Sequence, residues 1–334
     1  MSEPLIIAVP SKGRLQDQVE AWLADCGLSL IASGGTRGYL ARIDGFDDMQ
    51  VRRVSAADIA AAFFGGDIHL GVTGEDLLHE AGETLEGNVL PVMAMGFGRA
   101  DLVVAAPKSW IDVETMADLD DVARLFLART GRRLRVATKY RSQTRSFFAL
   151  HGLADYRIAD SAGATEGAPA AGAAELVVDI TSSGATLAAN GLRPISDGVI
   201  LRSQAQLAAS LKAVWTSPQL ATARRLLRIL EARAKGKAHL ALAWPTEQDA
   251  TACRVIAPFA GLGDRPVAPR VLVPLSALFT AMEALAAANV GPVTVERPTY
   301  VFEAVSAGAD RLAEALNLTA DSRPRKRRPP NQVR

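Results

Sequence analysis

Short apolar runs alternate with segments of helical periodicity along the first two thirds of the chain. Five runs have the length and composition of buried strands: PLIIAVP at 4–10, IHLGV at 68–72, LVVAAP at 102–107, LRVATK at 134–139 and ELVVDIT at 175–181. Helical patterns with one apolar face follow most of these runs. The alternation predicts an α/β fold in which a mostly parallel sheet is covered by helices, with ligands bound beyond the carboxyl ends of the strands.

The pattern divides residues 1–215 into two α/β units. A new set of strand and helix signals begins near Asp101, and the extended run Asp197–Leu207 is predicted to cross back to the first sheet. We therefore expect one lobe from 1–100 plus 193–215 and a second lobe from 101–192. A cleft between two such lobes is a common place for a ligand pocket.

The C-terminal third has a different order of elements. A helical pattern at 216–235 connects the core to residues 236–305, which carry strand, helix, strand, helix and strand signals. One further strand between Ala257 and Pro269 would complete the βαββαβ order of a ferredoxin-like domain. Residues 306–334 are predicted to form a helix and a disordered basic tail.

A loop rich in hydroxyl groups follows the strand that contains Asp179. Its residues are Thr181, Ser182, Ser183, Gly184, Ala185 and Thr186. Backbone N–H groups and hydroxyls in such a turn can converge on one anion, and the dipole of the following helix favours negative charge. The same residues can also serve as an ordinary helix cap, so the loop alone leaves both interpretations open.

Three other predicted strand ends carry charged or polar groups. The residues concerned are Lys12 and Arg14 after the first strand, Thr73, Gly74 and Glu75 after the strand at 68–72, and Lys139 and Tyr140 at the end of the strand at 134–139. If the strands are parallel, these groups meet at one edge of a sheet. They are candidate contacts for an anionic ligand, although Lys139 and Tyr140 can equally be surface residues.

The composition is that of a globular protein without a metal or disulfide framework. The chain has 334 residues with 49% hydrophobic content, and it has only two cysteines and four histidines. Neither a secretory signal pattern nor a run of about 18 apolar residues is present, so we expect no membrane association and a cytoplasmic protein. The histidines show no metal-ligand spacing.

The formal net charge of +1 conceals a basic C-terminus. The segment RPRKRRPPNQVR, which starts at Arg323, carries six basic residues and no acid, so the rest of the chain carries +1 − 6 = −5. A basic run of this kind can contact RNA or an acidic partner. A Pro- and Arg-rich terminus is more often solvated and disordered, and we expect no role in nucleic-acid binding.

Six segments occur in a characteristic order along the chain. They are PSKGRL at 10–15, GGDIHLGVTGEDLL at 65–78, GFGRADLVVAAP at 96–107, RVATKY at 135–140, Glu166 after Gly163, and VDITSSGATLAANGL at 178–192. Together they resemble ATP phosphoribosyltransferase, the first enzyme of histidine biosynthesis. The resemblance implies a two-lobed catalytic core like that of periplasmic binding proteins, with a C-terminal ferredoxin-like domain. It also implies transfer of the phosphoribosyl group from phosphoribosyl pyrophosphate to N1 of ATP, with release of pyrophosphate.

The resemblance implies a role for each matching residue. The loop Thr181–Thr186 holds the 5′-phosphate, while Asp179 and Glu166 hold the ribose hydroxyls directly or through Mg²⁺. Lys12 is the expected catalytic cation. Arg14, the Thr73–Glu75 corner and Lys139 are expected to line the substrate cleft. Because adenine N1 is already a lone-pair nucleophile, the reaction needs positive charge near the leaving group more than a strong base.

Two features depart from the family pattern. Many members have an arginine three residues before the Asp58-Ile59 pair, where this chain has Ser55, and Arg52 or Arg53 is a candidate replacement. The C-terminal domain matches imperfectly, so we expect its response to histidine to be altered or lost. The family also implies a homo-oligomer, either a dimer or a hexamer, and in short forms a regulatory subunit resembling histidyl-tRNA synthetase. A non-catalytic phosphosugar-binding or sensor protein is the alternative function.

Overall fold

The computed structural model describes residues 3–32, 39–82, 84–161, 164–260 and 269–322. It divides into two compact units, one that runs to Thr216 and also includes Leu312 onward, and one at Ser217–Arg311. Three predicted features lie outside the described residues. They are Gly163, most of the segment after Ala257 where a strand is expected, and the basic tail from Arg323.

The first unit alternates strands and helices. Its strands are β1 (Leu5–Pro10), β2 (Leu30–Ala32), β3 (Leu40–Ile43), β4 (Met49–Val54), β5 (Leu70–Gly74), β6 (Val89–Ala94), β7 (Ala100–Pro107), β8 (Leu134–Thr138), β9 (Tyr156–Asp160), β10 (Leu176–Thr181), β11 (Leu192–Ser203) and β12 (Ala205–Ser210). Its helices are α1 (Gly13–Asp25), α2 (Ala56–Gly65), α3 (Glu75–Ala81), α4 (Met116–Thr130), α5 (Arg141–Leu150) and α6 (Ala185–Ala189).

The first lobe is built on a sheet with strand order β2-β3-β4-β1-β5-β12-β6. Strand β1 pairs in parallel with β4 and β5, so the chain leaves all three strands at the same edge of the sheet. Helix α2 packs closely on this sheet because Gly71 has no side chain, and a Cβ there would lie 2.9 Å from Ile59. Ile59, Phe63 and Leu78 form the core with the sheet.

The second lobe is built on a sheet with strand order β11-β7-β10-β8-β9. Strand β10 is apolar on both faces because Leu176 and Val178 pack with Met116 and Phe148, while Val177 packs on the opposite face. Burial on both faces explains the continuous apolar run before the hydroxyl-rich loop.

Both sheets are mixed, whereas the sequence predicted a mostly parallel arrangement. Strand β7 is antiparallel to β10 and β11, and β12 is antiparallel to β5 and β6, because the chain passes between the lobes through these strands. The run Asp197–Leu207 does cross back, but it does so at Gln204. Residues 193–203 therefore belong to the second sheet, and the first lobe resumes at Ala205 rather than at 193.

The described residues of the second unit form a small antiparallel sheet and several helices. Its elements are α7 (Ser217–Ala238), β13 (His239–Ala243), α8 (Asp249–Ile256), β14 (Arg270–Pro274), α9 (Leu278–Ala287) and β15 (Thr294–Glu296), and the chain continues into α10 (Ala307–Ser322). The strand order β14-β13-β15 reproduces that of the first, third and fourth strands of a ferredoxin-like domain. In the part of the chain that the structure describes, no helix is both long and apolar enough for a membrane span.

Candidate active site

The loop after β10 is held in an open turn by its own residues. Gly184 has a φ of 73°, in the left-handed region that glycine adopts without strain. Its N–H donates to Thr181 Oγ1 at 2.8 Å, which closes the turn. Helix α6 has only five residues. An anion at this loop would therefore be held by the N–H and hydroxyl groups of the loop more than by the dipole of a long helix.

A cavity of about 360 Å³ joins this loop to the first lobe. Its wall contains seven polar residues: Arg14, Glu166, Asp179, Thr181, Ser182, Ser183 and Thr186. Arg14 comes from the start of α1 in the first lobe, and its Nη2 donates to Ser182 Oγ at 3.3 Å. The structure thus brings together most of the predicted phosphate, ribose and cation residues. Gly184 and Ala185 contribute backbone to the same loop.

The carboxylate of Asp179 is held in an environment that disfavours its ionised form. Burial raises its pKa, and the nearby carboxylates of Glu166 and Asp76 raise it further. The N–H of Ile180, which donates to Asp179 Oδ1 at 2.9 Å, and the charge of Lys139 act in the opposite direction. A bound cation or a sugar hydroxyl would compensate for this cost.

Lys12 and Lys139 have different surroundings. Lys139 follows β8, and its Nζ lies 5.1 Å from the centre of the Tyr140 ring, within electrostatic range of Asp179. Lys12 precedes α1 at the N-cap position and is exposed. Within the described residues its side chain makes no hydrogen bond or ion pair, and it does not line the 360 Å³ cavity. Of the two cations after β1, Arg14 is the one that contacts the loop.

The Thr73–Glu75 corner is built into the fold rather than into the cavity wall. Thr73 is fully buried, and its hydroxyl donates to the carbonyl of Ala56 at 2.7 Å. Glu75 accepts a hydrogen bond from the side chain of Gln206 at 3.2 Å, and its N–H donates to the carbonyl of Gln204 at 3.1 Å. Gly74 and Glu75 are half-buried, and contact of this corner with substrate stays a prediction.

Sequence reasoning missed two arginines beside the loop. A second cavity of about 420 Å³ shares Ala100, Thr181 and Ser182 with the first, and Arg99 and Arg202 also line it. Both arginines are exposed and have no ion pair with a described residue. Ser182 donates to the carbonyl of Arg99 at 3.0 Å. Arg99 lies inside the motif GFGRADLVVAAP, which is the sequence signal for a cation at this position.

Ser55 caps a helix at the position where many relatives carry an arginine. Its Oγ accepts from the N–H of Asp58 at 3.2 Å and so begins α2. Neither candidate replacement is free. Arg53 pairs with Glu20 at 2.9 Å, and Arg52 donates to the carbonyl of Asp67 at 3.2 Å.

The fold and the cavity together define a two-lobed α/β protein whose cleft is suited to a phosphorylated ligand. A model of the ATP phosphoribosyltransferase family matches residues 55–232. The ATP phosphoribosyltransferase of Caulobacter vibrioides (strain NA1000 / CB15N) is 61% identical over 95% of this chain and 99% of its own length. That of Rhodopseudomonas palustris (strain BisA53) is 57% identical over 70% of this chain and 72% of its own.

The chain belongs to the ATP phosphoribosyltransferase family. Among solved structures, it resembles the ATP phosphoribosyl transferase (HisG:HisZ) complex from Thermotoga maritima, with a TM-score of 0.52 and 24% identity over 68% of this chain and 96% of that one. A likeness at this level of identity supports the two-lobed α/β fold of the core.

Proposed function

We propose that the protein transfers the phosphoribosyl group of phosphoribosyl pyrophosphate to N1 of ATP, and that this reaction takes place in the cleft. The reaction is the first step of histidine biosynthesis. The observation that carries this proposal is the cavity in which Arg14 of the first lobe meets the hydroxyl loop and Asp179 of the second. Such a cavity can hold a sugar phosphate between a cation and a set of backbone and hydroxyl donors.

Each end of the donor sugar has a matching group. The N–H and hydroxyl groups of Thr181–Thr186 bind the 5′-phosphate, and Arg14 adds positive charge from the opposite lobe. Asp179 and Glu166 accept hydrogen bonds from the ribose hydroxyls. Lys12, which no described carboxylate neutralises, binds the pyrophosphate that leaves. Its charge stabilises the transition state because negative charge accumulates on the leaving group.

The two carboxylates also fit a divalent metal. Asp179 and Glu166 offer the hard oxygen ligands that Mg²⁺ prefers, and a cation beside them would offset the cost of ionising the half-buried Asp179. When bound, Mg²⁺ neutralises charge on the substrate phosphates. Lys139, within electrostatic range of Asp179, adds a fixed positive charge on the same side of the cleft.

A direct assay separates this enzyme from a sensor that binds phosphosugars without catalysis. The purified chain is mixed with ATP, phosphoribosyl pyrophosphate and Mg²⁺, and the absorbance of phosphoribosyl-ATP is followed. We expect product at a rate that scales with protein concentration, and no product when Mg²⁺ is chelated. Binding of both substrates without product would support the sensor.

Regulation and assembly follow from the same family membership. We propose that the second unit, Ser217–Arg311, is a regulatory domain whose response to histidine is weak or absent. We also propose that the protein is a cytoplasmic homo-oligomer and that it can bind a separate regulatory subunit. The test is titration of histidine against turnover of the purified chain. Potent inhibition of the chain alone would contradict this assignment.

A further inference from the structure

Three buried polar side chains meet between the two lobes, beside the cleft. Asp76, Tyr140 and Ser203 are 6%, 1% and 4% exposed. The hydroxyl of Tyr140 donates to Asp76 Oδ2 at 2.6 Å, and the hydroxyl of Ser203 donates to Asp76 Oδ1 at 2.8 Å. Ser203 Oγ also accepts from the N–H of Asp76 at 3.1 Å. We name these residues the interlobe triad.

Each member of the triad comes from a different part of the core. Asp76 lies in the first turn of α3 in the first lobe. Tyr140 immediately precedes α5 in the second lobe, and Ser203 ends β11 just before the chain crosses at Gln204. Both carboxylate oxygens of Asp76 thus bind groups outside its own helix, so the triad ties the two lobes and the crossing strand at one point.

The packing of α3 against α5 extends this tie. Helix α5 has no side-chain cap of its own. Instead, Glu80 of α3 accepts the N–H groups of Ser142 and Gln143 at 3.0 and 3.2 Å. The side chain of Gln143 donates to the carbonyl of Asp76 at 2.9 Å. One lobe therefore satisfies the exposed helix terminus of the other, which fixes the angle between them.

The triad is adjacent in sequence to residues at the cleft. Tyr140 follows Lys139, and Asp76 lies close enough to Asp179 to raise the pKa of that carboxyl. Gly74 leaves room for the Asp76 side chain, because a Cβ at position 74 would clash with Asp76 Oδ1. Burial and the Asp76 charge raise the pKa of Tyr140, so its hydroxyl remains a donor throughout the neutral range.

We infer that Asp76, Tyr140 and Ser203 are positioning residues that hold the two halves of the active site at the separation that phosphoribosyl transfer requires. This inference rests on the proposed reaction, in which Arg14 and Lys12 of one lobe must act on a sugar held by the other. A displacement of about 1 Å between reacting groups is enough to slow a reaction by up to two orders of magnitude.

The test is steady-state kinetics of Tyr140→Phe and Ser203→Ala, with Tyr156→Phe as the matched control. Tyr156 lies in the same lobe and packs on Phe148, and its hydroxyl has no hydrogen bond to a described residue. We expect both triad variants to lower kcat about tenfold. The Kd for phosphoribosyl pyrophosphate, measured by calorimetry, should change less than twofold because the loop is intact. The control should match the parent chain.

Two outcomes would overturn the inference. One is a kcat within twofold of the parent chain in both triad variants, measured at a temperature where circular dichroism shows them folded. The other is an equal loss in Tyr156→Phe. Ser203→Ala removes one small hydroxyl and provides the answer if Tyr140→Phe does not fold. If the unmodified chain forms no phosphoribosyl-ATP, the proposed reaction fails instead, and that result is obtained before any variant is made.

Discussion

The loop Thr181–Thr186 and the corner Thr73–Glu75 are both strand-to-helix turns with threonine and glycine, yet the structure uses them differently. In the loop, Ser182 and Ser183 line the cavity. In the corner, the hydroxyl of Thr73 is buried and bonded to Ala56. Strand β12 pairs alongside β5 as far as Gly74, and Glu75 is hydrogen-bonded to Gln204 and Gln206 at the chain crossing. The same local pattern therefore gives a cavity-lining loop in one place and a hydrogen-bonded joint in the other.

The largest contrast between the two turns should appear in kcat for Asp179→Asn and Glu75→Gln. Asp179 faces the cavity before the loop, so we expect its loss to lower kcat about a hundredfold, the scale of removing one group that stabilises a transition state. Glu75 is held by Gln206 and the chain crossing. Its amide variant should keep kcat within threefold. A comparable loss in Glu75→Gln would place the corner in the active site.

The corner after β1 contains one cation that contacts the loop, Arg14, and one that does not, Lys12. Arg14 contacts Ser182, so Arg14→Gln should raise the KM for phosphoribosyl pyrophosphate about tenfold, the value of one charged hydrogen bond of about 1.5 kcal/mol. Lys12→Gln should instead lower kcat, because its charge is expected to act on the leaving pyrophosphate. Initial rates at varied substrate concentrations separate the two effects. Identical kinetic changes in both variants would remove the distinction between these cations.

Two variants with smaller effects should distinguish a role in substrate binding from a role in stability. Ser182→Ala removes a cavity hydroxyl and should raise the KM for phosphoribosyl pyrophosphate a few-fold without changing Tm. Thr73→Val leaves the carbonyl of Ala56 without its partner, at a cost of about 1–2 kcal/mol, so Tm should fall by a few degrees with KM unchanged. Scanning calorimetry and kinetics on the same preparations test both. A raised KM in Thr73→Val would contradict the structural role.

The smallest effect concerns stability and pH at Asp179. Because burial raises the pKa of Asp179 in the folded chain above its ordinary value, the folded state binds the proton more tightly than the unfolded state. The folded chain therefore loses stability as the pH rises from the ordinary pKa of an aspartate through the raised pKa of Asp179. Asp179→Asn should have a Tm a few degrees above the parent at pH 7, and the difference should shrink as pH falls below the raised pKa. A lower Tm in the variant at pH 7 would contradict this account.

Much of the core could be predicted because its strands are apolar on both faces. The apolar run Leu176, Val177 and Val178 predicted strand β10, and the structure buries all three residues in a central strand. Strands β2, β3 and β6 were missed because they are short or half-exposed. The crossing at Gln204 was misplaced because the extended pattern does not change when the partner strand changes.

The sequence predicted which kinds of residue form the candidate site better than it predicted where their side chains lie. Glycine, hydroxyl and carboxylate residues at 179–186 carry their chemistry in the local sequence, and the structure brings them to one cavity wall. Which cation faces them depends on tertiary contacts. Lys12 and Arg14 are two residues apart, yet only Arg14 reaches the loop. Arg99, just before β7, and Arg202, in β11, line the same second cavity. Sequence patterns do not contain those distances.

A crystal structure of the chain with phosphoribosyl pyrophosphate and Mg²⁺ tests the central claim most directly. We predict the 5′-phosphate within hydrogen-bond distance of the N–H and hydroxyl groups of Thr181–Thr186, with Asp179 against the ribose hydroxyls and Arg14 on the opposite side. A 5′-phosphate bound at the Thr73–Glu75 corner, with the loop empty, would contradict the account.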